Sequence, residues 1–341
     1  MGKKEKYNIA VVGAMGMVGS QMIATLERRQ FPVDELRPLD VPSNEGKKIS
    51  FHGKAIEVKT AKAENFEGID IAIFSAGGDA ALELAPQAVE KGAIVVDNSS
   101  AWRMDPRSPL VVPEVNPQDL DWHNGIIANP NCSTIQMVVA LKPLHDYASI
   151  KRVVVSTYQA VSGSGMKAFE GLKAESREYL ESGDVKTPLS YQQPIAFNCL
   201  PHIDVFQEGG YTKEEYKMVN ETTKIMNDDS ILVSPTCVRV PVFYGHSESI
   251  NLETEKKLTV EKTKELLGAA KSIKVVDDPD TELYPMPFYS ENEDLTMVGR
   301  IREDNTTKNG LNLWVVSNNI RKGAALNAVQ VAETLIERNL V

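Results

Sequence analysis

Two rhythms of apolar residues alternate along the first 150 positions of the chain. Residues 7–14, 69–76, 93–98 and 126–129 are short, nearly continuous apolar runs, the pattern of strands buried on both faces. Residues 18–29, 79–91 and 133–147 carry helical periodicity instead. Strands and helices in turn imply a parallel sheet wound on both faces. Beyond residue 150 the strand-like runs lengthen, at 151–158, 231–244, 295–302 and 311–317, and few helices separate the later ones. A helix is predicted over 213–226, and Ser162-Gly163-Ser164-Gly165 reads as a short loop. The tail, 323–339, returns to a helix with Leu326, Val329, Val331 and Leu335 at apolar positions, and is expected to pack back on the first domain. The predicted fold is therefore α/β: a doubly wound parallel sheet first, then a second, α+β domain.

Length agrees with two domains, since 341 residues exceed a comfortable single core. The composition, 42% hydrophobic and 25% charged, is that of a globular protein able to bury such cores. No apolar run approaches the roughly 20 residues needed to cross a bilayer. The charged start, Met1-Gly2-Lys3-Lys4-Glu5-Lys6, lacks the apolar stretch of a secretory signal, so a cytoplasmic location is expected. A net charge of −10 argues against nucleic acid as the main partner while leaving room for a small anionic substrate. The three cysteines, Cys132, Cys199 and Cys237, support neither a disulfide framework nor a metal site.

Gly13-Ala14-Met15-Gly16-Met17-Val18-Gly19 falls between the first predicted strand and the first predicted helix. Glycines there permit a tight turn and close approach to a pyrophosphate, whose charge a helix N-terminus favours. The spacing is GxxGxxG rather than GxGxxG, so position in the fold carries more weight than the pattern itself. Gly13, Met15, Gly16, Met17 and Val18 are the candidate cofactor contacts. Asp40, 21 residues beyond Gly19, stands near where an acidic residue would hold the adenine ribose hydroxyls, which favours NAD; the alternative is a solvated loop aspartate.

Asn129-Pro130-Asn131-Cys132-Ser133-Thr134 joins a strand to a helix. Cys132 is thus expected at or near a helix N-terminus, where the dipole and free N–H groups stabilise a thiolate and could hold an oxyanion. A lone cysteine is ordinarily core filler, and Cys199 and Cys237 keep that reading. Among five histidines, His246 is the best candidate base: Gly245-His246-Ser247 interrupts a strand-rich region, and its small neighbours leave room for a ligand. His52, His123 and His145 lie in charged or aromatic surface-like contexts, and His202 suits a buried or interface role.

Taken together, these motifs resemble those of the aspartate-semialdehyde dehydrogenases. The resemblance runs through the glycine loop, Asn129 to Thr134, Tyr158-Gln159-Ala160-Val161-Ser162-Gly163, Glu214-Glu215-Tyr216-Lys217-Met218, Val238-Arg239-Val240-Pro241 and Gly245-His246-Ser247-Glu248. It ends on Arg321-Lys322-Gly323-Ala324-Ala325-Leu326-Asn327 and so spans nearly the whole chain. It implies a Rossmann-like, doubly wound domain from residues 1–131, completed by the C-terminal helix within 325–341, and a catalytic domain, 132–324, that forms a homodimer. The implied reaction turns 4-aspartyl phosphate and a reduced nicotinamide into aspartate semialdehyde and phosphate, toward lysine (through diaminopimelate), threonine and methionine. By the same resemblance Cys132 would carry a thioester, with Asn131 positioning the substrate, His246 as general acid and base, and Gln159 orienting the intermediate. Arg239 would grip the α-carboxylate, Glu214 the α-ammonium, and Arg103 and Lys217 the phosphate; Ser162, Gly163 and Asn327 would lie near the nicotinamide.

One departure stands out. Many relatives carry a serine- and arginine-rich loop that binds the 2′-phosphate of NADP; here the stretch is Leu39-Asp40-Val41-Pro42-Ser43-Asn44-Glu45-Gly46-Lys47, with Ser43 in place of the arginine. The family default is NADP, but Asp40 and the missing arginine leave NAD open, with Lys47 and Lys48 as compensating charges. Other acyl-phosphate reductases share the thioester logic, although the Glu214, Lys217, Arg239 and His246 set favours aspartate. A cysteine hydrolase would have no use for the glycine loop, and a non-catalytic nucleotide-binding paralogue would have no use for both Cys132 and His246.

Overall fold

The computed structural model describes residues 4–341, and the chain divides into two compact units. The first ends at Asn131 and is completed by Ala324–Val341; the second is Cys132–Gly323.

The first unit opens with β1 (Tyr7–Val12), α1 (Met17–Arg28) and β2 (Val33–Asp40). A hairpin follows, β3 (Lys48–Phe51) and β4 (Lys54–Glu57), then β5 (Lys59–Thr60), β6 (Ile71–Phe74), α2 (Gly78–Glu90), β7 (Ile94–Asp97) and β8 (Ile126–Ala128). His52 and Gly53 both have positive φ, as a two-residue hairpin turn between twisted strands requires. The six-stranded sheet runs β5-β2-β1-β6-β7-β8, and every neighbouring pair is parallel. Ile9 to Val12 and Ile71 to Phe74 are fully buried, which explains why these strands read as continuous apolar runs. The order reverses at β1: the chain leaves it for β2 on one side and comes back to β6 on the other, leaving a crevice at the carboxyl ends of the three strands.

The second unit contains α3 (Cys132–Ala148), β9 (Ile150–Gln159), α4 (Met166–Ser182), α5 (Lys213–Met226), β10 (Leu232–Arg239), β11 (His246–Thr254), α6 (Val260–Ala269), β12 (Ile273–Val275), β13 (Thr296–Asp304) and β14 (Gly310–Ser317). Its sheet runs β10-β9-β11-β14-β13-β12, with parallel pairs at both ends and antiparallel pairs between. Burial alternates along β9 and β11, so Thr157 and Gln159, His246 and Glu248 point the same way as the aliphatic residues behind them. Over Ser133–Leu141 α3 is buried all round, although Ser133, Thr134 and Gln136 are polar.

Three expectations need correction. The second unit is richer in helix than its strand-like texture suggests: α4 buries Ala168, Gly171, Leu172 and Glu175, a face too small and polar to show a helical period, and α6 buries only Thr263 and Leu267. The run 231–244 is strand only over Leu232–Arg239; Pro241, which has no N–H for a ladder, follows closely. His246 does not interrupt the strands but begins β11.

The last helix, α7 (Leu326–Glu337), belongs to the first unit. It starts after a π-helical turn, Arg321–Ala325, and sets Ala328, Val329, Val331, Ala332 and Leu335 against Ile9, Val11, Ile71, Ile73 and the α1 residues Met22, Ile23 and Leu26. Each fully buried aliphatic side chain is worth about 1.5–3 kcal/mol against an exposed one, so the chain's end closes this core rather than decorating it. Among the described residues no helix is long and apolar enough to cross a membrane.

Candidate active site

In the first unit the chain leaves β1 through Gly13, whose φ is +78°. A Cβ there would stand 2.4 Å from the Ser75 carbonyl oxygen, and one on Gly19 would stand 2.0 Å from that of Gly13. Glycine is obligatory at both places, for backbone conformation at the first and for helix–strand approach at the second. Gly16 precedes the first turn of α1, whose free N–H groups favour an anion. The crevice is a cleft of ≈ 460 Å³ lined by Gly13, Met15, Gly16 and Asp40, with Asn44 and Ser75 among the others. Met17 and Val18 are not among the lining residues, and Val18 packs against the core. Ser43 is exposed on a short turn, Pro42–Asn44, and is also absent from the lining.

Asp40 ends β2 and is neither solvated nor loosely held. Oδ2 accepts the Met15 N–H at 2.8 Å; Oδ1 accepts the Val41 N–H at 2.8 Å and Asn44 Nδ2 at 2.7 Å. Its carboxylate thus ties the glycine loop to the end of β2.

In the second unit Cys132 is the first residue of α3, and its Sγ lies 3.2 Å from His246 Nε2. The other ring nitrogen, Nδ1, accepts the Ala160 N–H at 3.0 Å. A nitrogen that accepts from a backbone amide carries no proton, so the neutral ring holds its hydrogen on Nε2 and turns it toward the sulfur. Burial, helped by the charge of Arg239 and opposed by that of Glu214, pushes His246 down to about 3. The imidazole is therefore uncharged at neutral pH and acts first as a hydrogen-bond donor to sulfur. Of the remaining cysteines, Cys199 is exposed, and burial raises Cys237 above the ordinary thiol range.

Gly163 keeps this site open. A Cβ on it would lie 3.1 Å from Arg239 Nη1 and 3.2–3.3 Å from the His246 ring. Gly163→Ala is expected to displace one of them by a few tenths of an ångström and to lower kcat/KM about 10- to 100-fold, with the melting temperature moving little. Steady-state kinetics beside a thermal melt checks this.

Arg239 Nη1 donates to the Ala160 carbonyl at 2.7 Å, so the Ala160 peptide holds both His246 and Arg239. The guanidinium is buried, its Nε has no hydrogen-bond partner, and it lines a cavity of ≈ 320 Å³ with Asp204, Tyr191 and His202. Gln159 Oε1 accepts from Thr157, and its Nε2 donates to Glu214 Oε1 at 3.0 Å. Lys217 stands between Glu214, at 3.0 Å, and Asp204, at 2.9 Å. Burial works against the charge on Lys217, but the two carboxylates outweigh it and raise its pKa. The predicted helix 213–226 is reproduced as α5, begun by a Thr212/Glu215 capping box that turns Glu214 inward.

The other expected residues lie in the first unit. Arg103 donates from Nε to the Asn129 carbonyl at 3.0 Å and from Nη2 to the Asn98 carbonyl at 2.9 Å. Asn327 is fully buried in α7, with Nδ2 donating to Asn129 Oδ1 at 2.7 Å and to the Val111 carbonyl at 3.0 Å. Asn131, the last residue of this unit, is buried too. In the second unit Ser162 Oγ accepts from Asn319 Nδ2 at 3.0 Å, and Asn319 Oδ1 accepts the Gly245 N–H at 3.0 Å, which ties the loop before β11 to the Ser162-Gly163 turn.

Four positions near the cysteine escape sequence reasoning. Ala160 acts through its backbone. Gly323 acts through its lack of a side chain, since a Cβ would lie 2.8 Å from that of Cys132. Glu248 is fully buried two residues beyond His246, and burial, opposed by the Gln136 side chain, raises its pKa well above the carboxylate range. Gln136 lies beside it and donates to the His246 carbonyl at 3.4 Å. Only the motif Gly245-His246-Ser247-Glu248 hinted at the acid.

Two family models match the chain. A family model described as semialdehyde dehydrogenase, NAD binding domain, matches residues 8–123, and one described as semialdehyde dehydrogenase, dimerisation domain, matches residues 141–322. The chain is 57% identical to the aspartate-semialdehyde dehydrogenase of Aquifex aeolicus, over 98% of this chain and 99% of that one. Among solved structures, aspartate semialdehyde dehydrogenase II from Vibrio cholerae, complexed with ASA, superposes with a TM-score of 0.95 at 46% identity, covering 98% of this chain and 99% of that one. The Candida albicans aspartate semialdehyde dehydrogenase with NADP gives a TM-score of 0.76 at 26% identity, covering 98% and 100%.

Proposed function

This chain belongs to the aspartate-semialdehyde dehydrogenase family, and from that premise we propose that it reduces 4-aspartyl phosphate to aspartate semialdehyde and phosphate, the step toward lysine, threonine and methionine. The observation that carries the chemistry is the Cys132 Sγ, at the head of a helix and 3.2 Å from an uncharged, donating His246 Nε2.

A donor at that distance and a helix N-terminus both stabilise a thiolate. In the proposed reaction the sulfur attacks the acyl carbon, the carbon–oxygen bond to phosphate breaks, and phosphate leaves with the bonding pair. The product is a thioester on Cys132, whose carbonyl is less stabilised than that of an ester and accepts a hydride more readily. Gly13, Met15, Gly16 and Asp40 would hold a nicotinamide dinucleotide, whose chemistry when bound would be to supply that hydride. Breaking the carbon–sulfur bond then returns the electron pair to Sγ and releases the aldehyde. His246 steadies the thiolate at the start and end, and its Nε2–H is the donor for the oxygen that takes charge in between.

Arg239 suits the α-carboxylate, because it lines a cavity and a planar guanidinium offers a carboxylate a bidentate match. Glu214, held by Gln159 and Lys217, is the counter-charge for the α-ammonium, and Gln159 orients the acyl intermediate. Asn131 steadies the substrate beside the nucleophile. Arg103 and Lys217 are assigned to the phosphate. Ser162, Gly163 and Asn327 are assigned to the nicotinamide side. The dimerisation-domain match over 141–322 supports a homodimer built through the second unit. The nucleotide-binding match supports a nicotinamide dinucleotide as cofactor, and the Candida albicans neighbour was solved with NADP.

Phosphate-dependent reduction of NAD or NADP with aspartate semialdehyde tests the reading. Turnover that requires phosphate supports it; folded protein that turns over with neither dinucleotide overturns it.

A further inference from the structure

The lining of the dinucleotide cleft argues for a different form of the cofactor. Among the described residues that line it there is one carboxylate, Asp40, and no lysine or arginine. We propose that this chain selects NAD over NADP and that Asp40 is the residue that decides it, an inference that rests on the cleft being the dinucleotide site.

The two dinucleotides differ at one ribose hydroxyl, free in NAD and phosphorylated in NADP. A free hydroxyl has a hydrogen to donate to a carboxylate oxygen. A phosphate has none to spare and brings about −1.5 to −2 charges at neutral pH. Two carboxyl oxygens offer about four acceptor sites. Met15 N, Val41 N and Asn44 Nδ2 occupy three, so an acceptor remains on a group that already lines the cleft. Those bonds also fix the carboxylate in place: it cannot swing aside for a phosphate without releasing the glycine loop at Met15. Lys59 and Lys62 flank the lining residues Thr60 and Ala61 but are not themselves in the lining, and Lys47 is exposed, its ammonium held at 2.7 Å by Asn44 Oδ1, with the Asn44 amide in turn held by Asp40. The chain therefore offers a fixed acceptor where a phosphate would need a cation.

Titration calorimetry of the full chain with NAD⁺ and with NADP⁺ is the test, beside kcat/KM for each. NAD⁺ is expected to bind about tenfold tighter or more. Asp40→Ser should shrink that ratio. Because this change also loosens the loop, Ser43→Arg is the second variant: it adds a cation on the exposed turn, leaves the three Asp40 bonds in place, and should raise NADP⁺ affinity relative to NAD⁺. Lys47→Ala should leave the ratio where it was. Equal or tighter binding of NADP⁺ by the unsubstituted chain overturns the proposal, as does a Lys47→Ala variant that loses NADP⁺ specifically. Binding of neither dinucleotide overturns the reading of the cleft itself, and that result is distinct from a wrong preference.

Discussion

Cys132→Ser is expected to lower phosphate-dependent turnover by about 10⁴-fold or more while the chain still binds its dinucleotide. A hydroxyl matches the thiol in shape, and the Gly323 backbone that packs against the Cys132 Cβ meets the same atom in either case. Stability should therefore change by about 1 kcal/mol or less. What changes is ionisation. A serine hydroxyl is far too weak an acid for a helix N-terminus and one donor to ionise, and His246 offers it no free lone pair, because Nδ1 accepts the Ala160 N–H and Nε2 carries the ring's proton. Calorimetry with the dinucleotide, a thermal melt and steady-state rates on one preparation separate these effects. A serine variant that keeps even a tenth of the rate would remove Cys132 from the chemistry. Alkylation offers an independent check, provided the modified residue is mapped, since Cys199 is exposed and will also react.

What could be read from the chain follows from how local each requirement is. The glycine loop was legible because strand, turn and helix are consecutive, and because Gly13 and Gly19 are demanded by contacts a few residues away or by φ itself. Cys132 was legible because turn-forming, polar neighbours mark a helix start. His246 was much less so: it stands 114 residues from the cysteine and reaches it only when α3 packs on the sheet that contains β11. The role of Ala160 is invisible in sequence, since any residue with an N–H would serve. Asp40 stands out by its spacing, yet three bonds to its own chain set what it can do, and spacing says nothing about those. The hidden helices have the same kind of cause. In α4 the buried Glu175 accepts N–H groups from Leu189, Ile195 and Ala196, so a charged residue occupies the face where a helical pattern would call for an apolar one.

Replacing His246 with alanine is expected to cost about 10²–10⁴ in kcat/KM, and glutamine should recover part of that loss if its amide N–H can reach the sulfur. The pH dependence then separates a donor from a titrating base. With the imidazole pushed down to about 3, no protonation of His246 occurs between pH 5 and 8, and the rate of Cys132 alkylation should rise with thiolate formation alone. An inflection near the ordinary histidine value of 6.5 that vanishes in His246→Ala would show that the ring does titrate, and that the Ala160 N–H does not hold its tautomer. Stability gives the complementary signal. The unfolded chain takes up a proton at His246 as pH falls through 6.5, whereas the folded chain refuses it until about 3. This residue's contribution is therefore complete above 6.5 and is lost progressively as the pH falls below it. His246→Ala should flatten that part of the stability profile, because the buried ring that excludes a proton is also the ring that keeps Nε2–H turned toward sulfur.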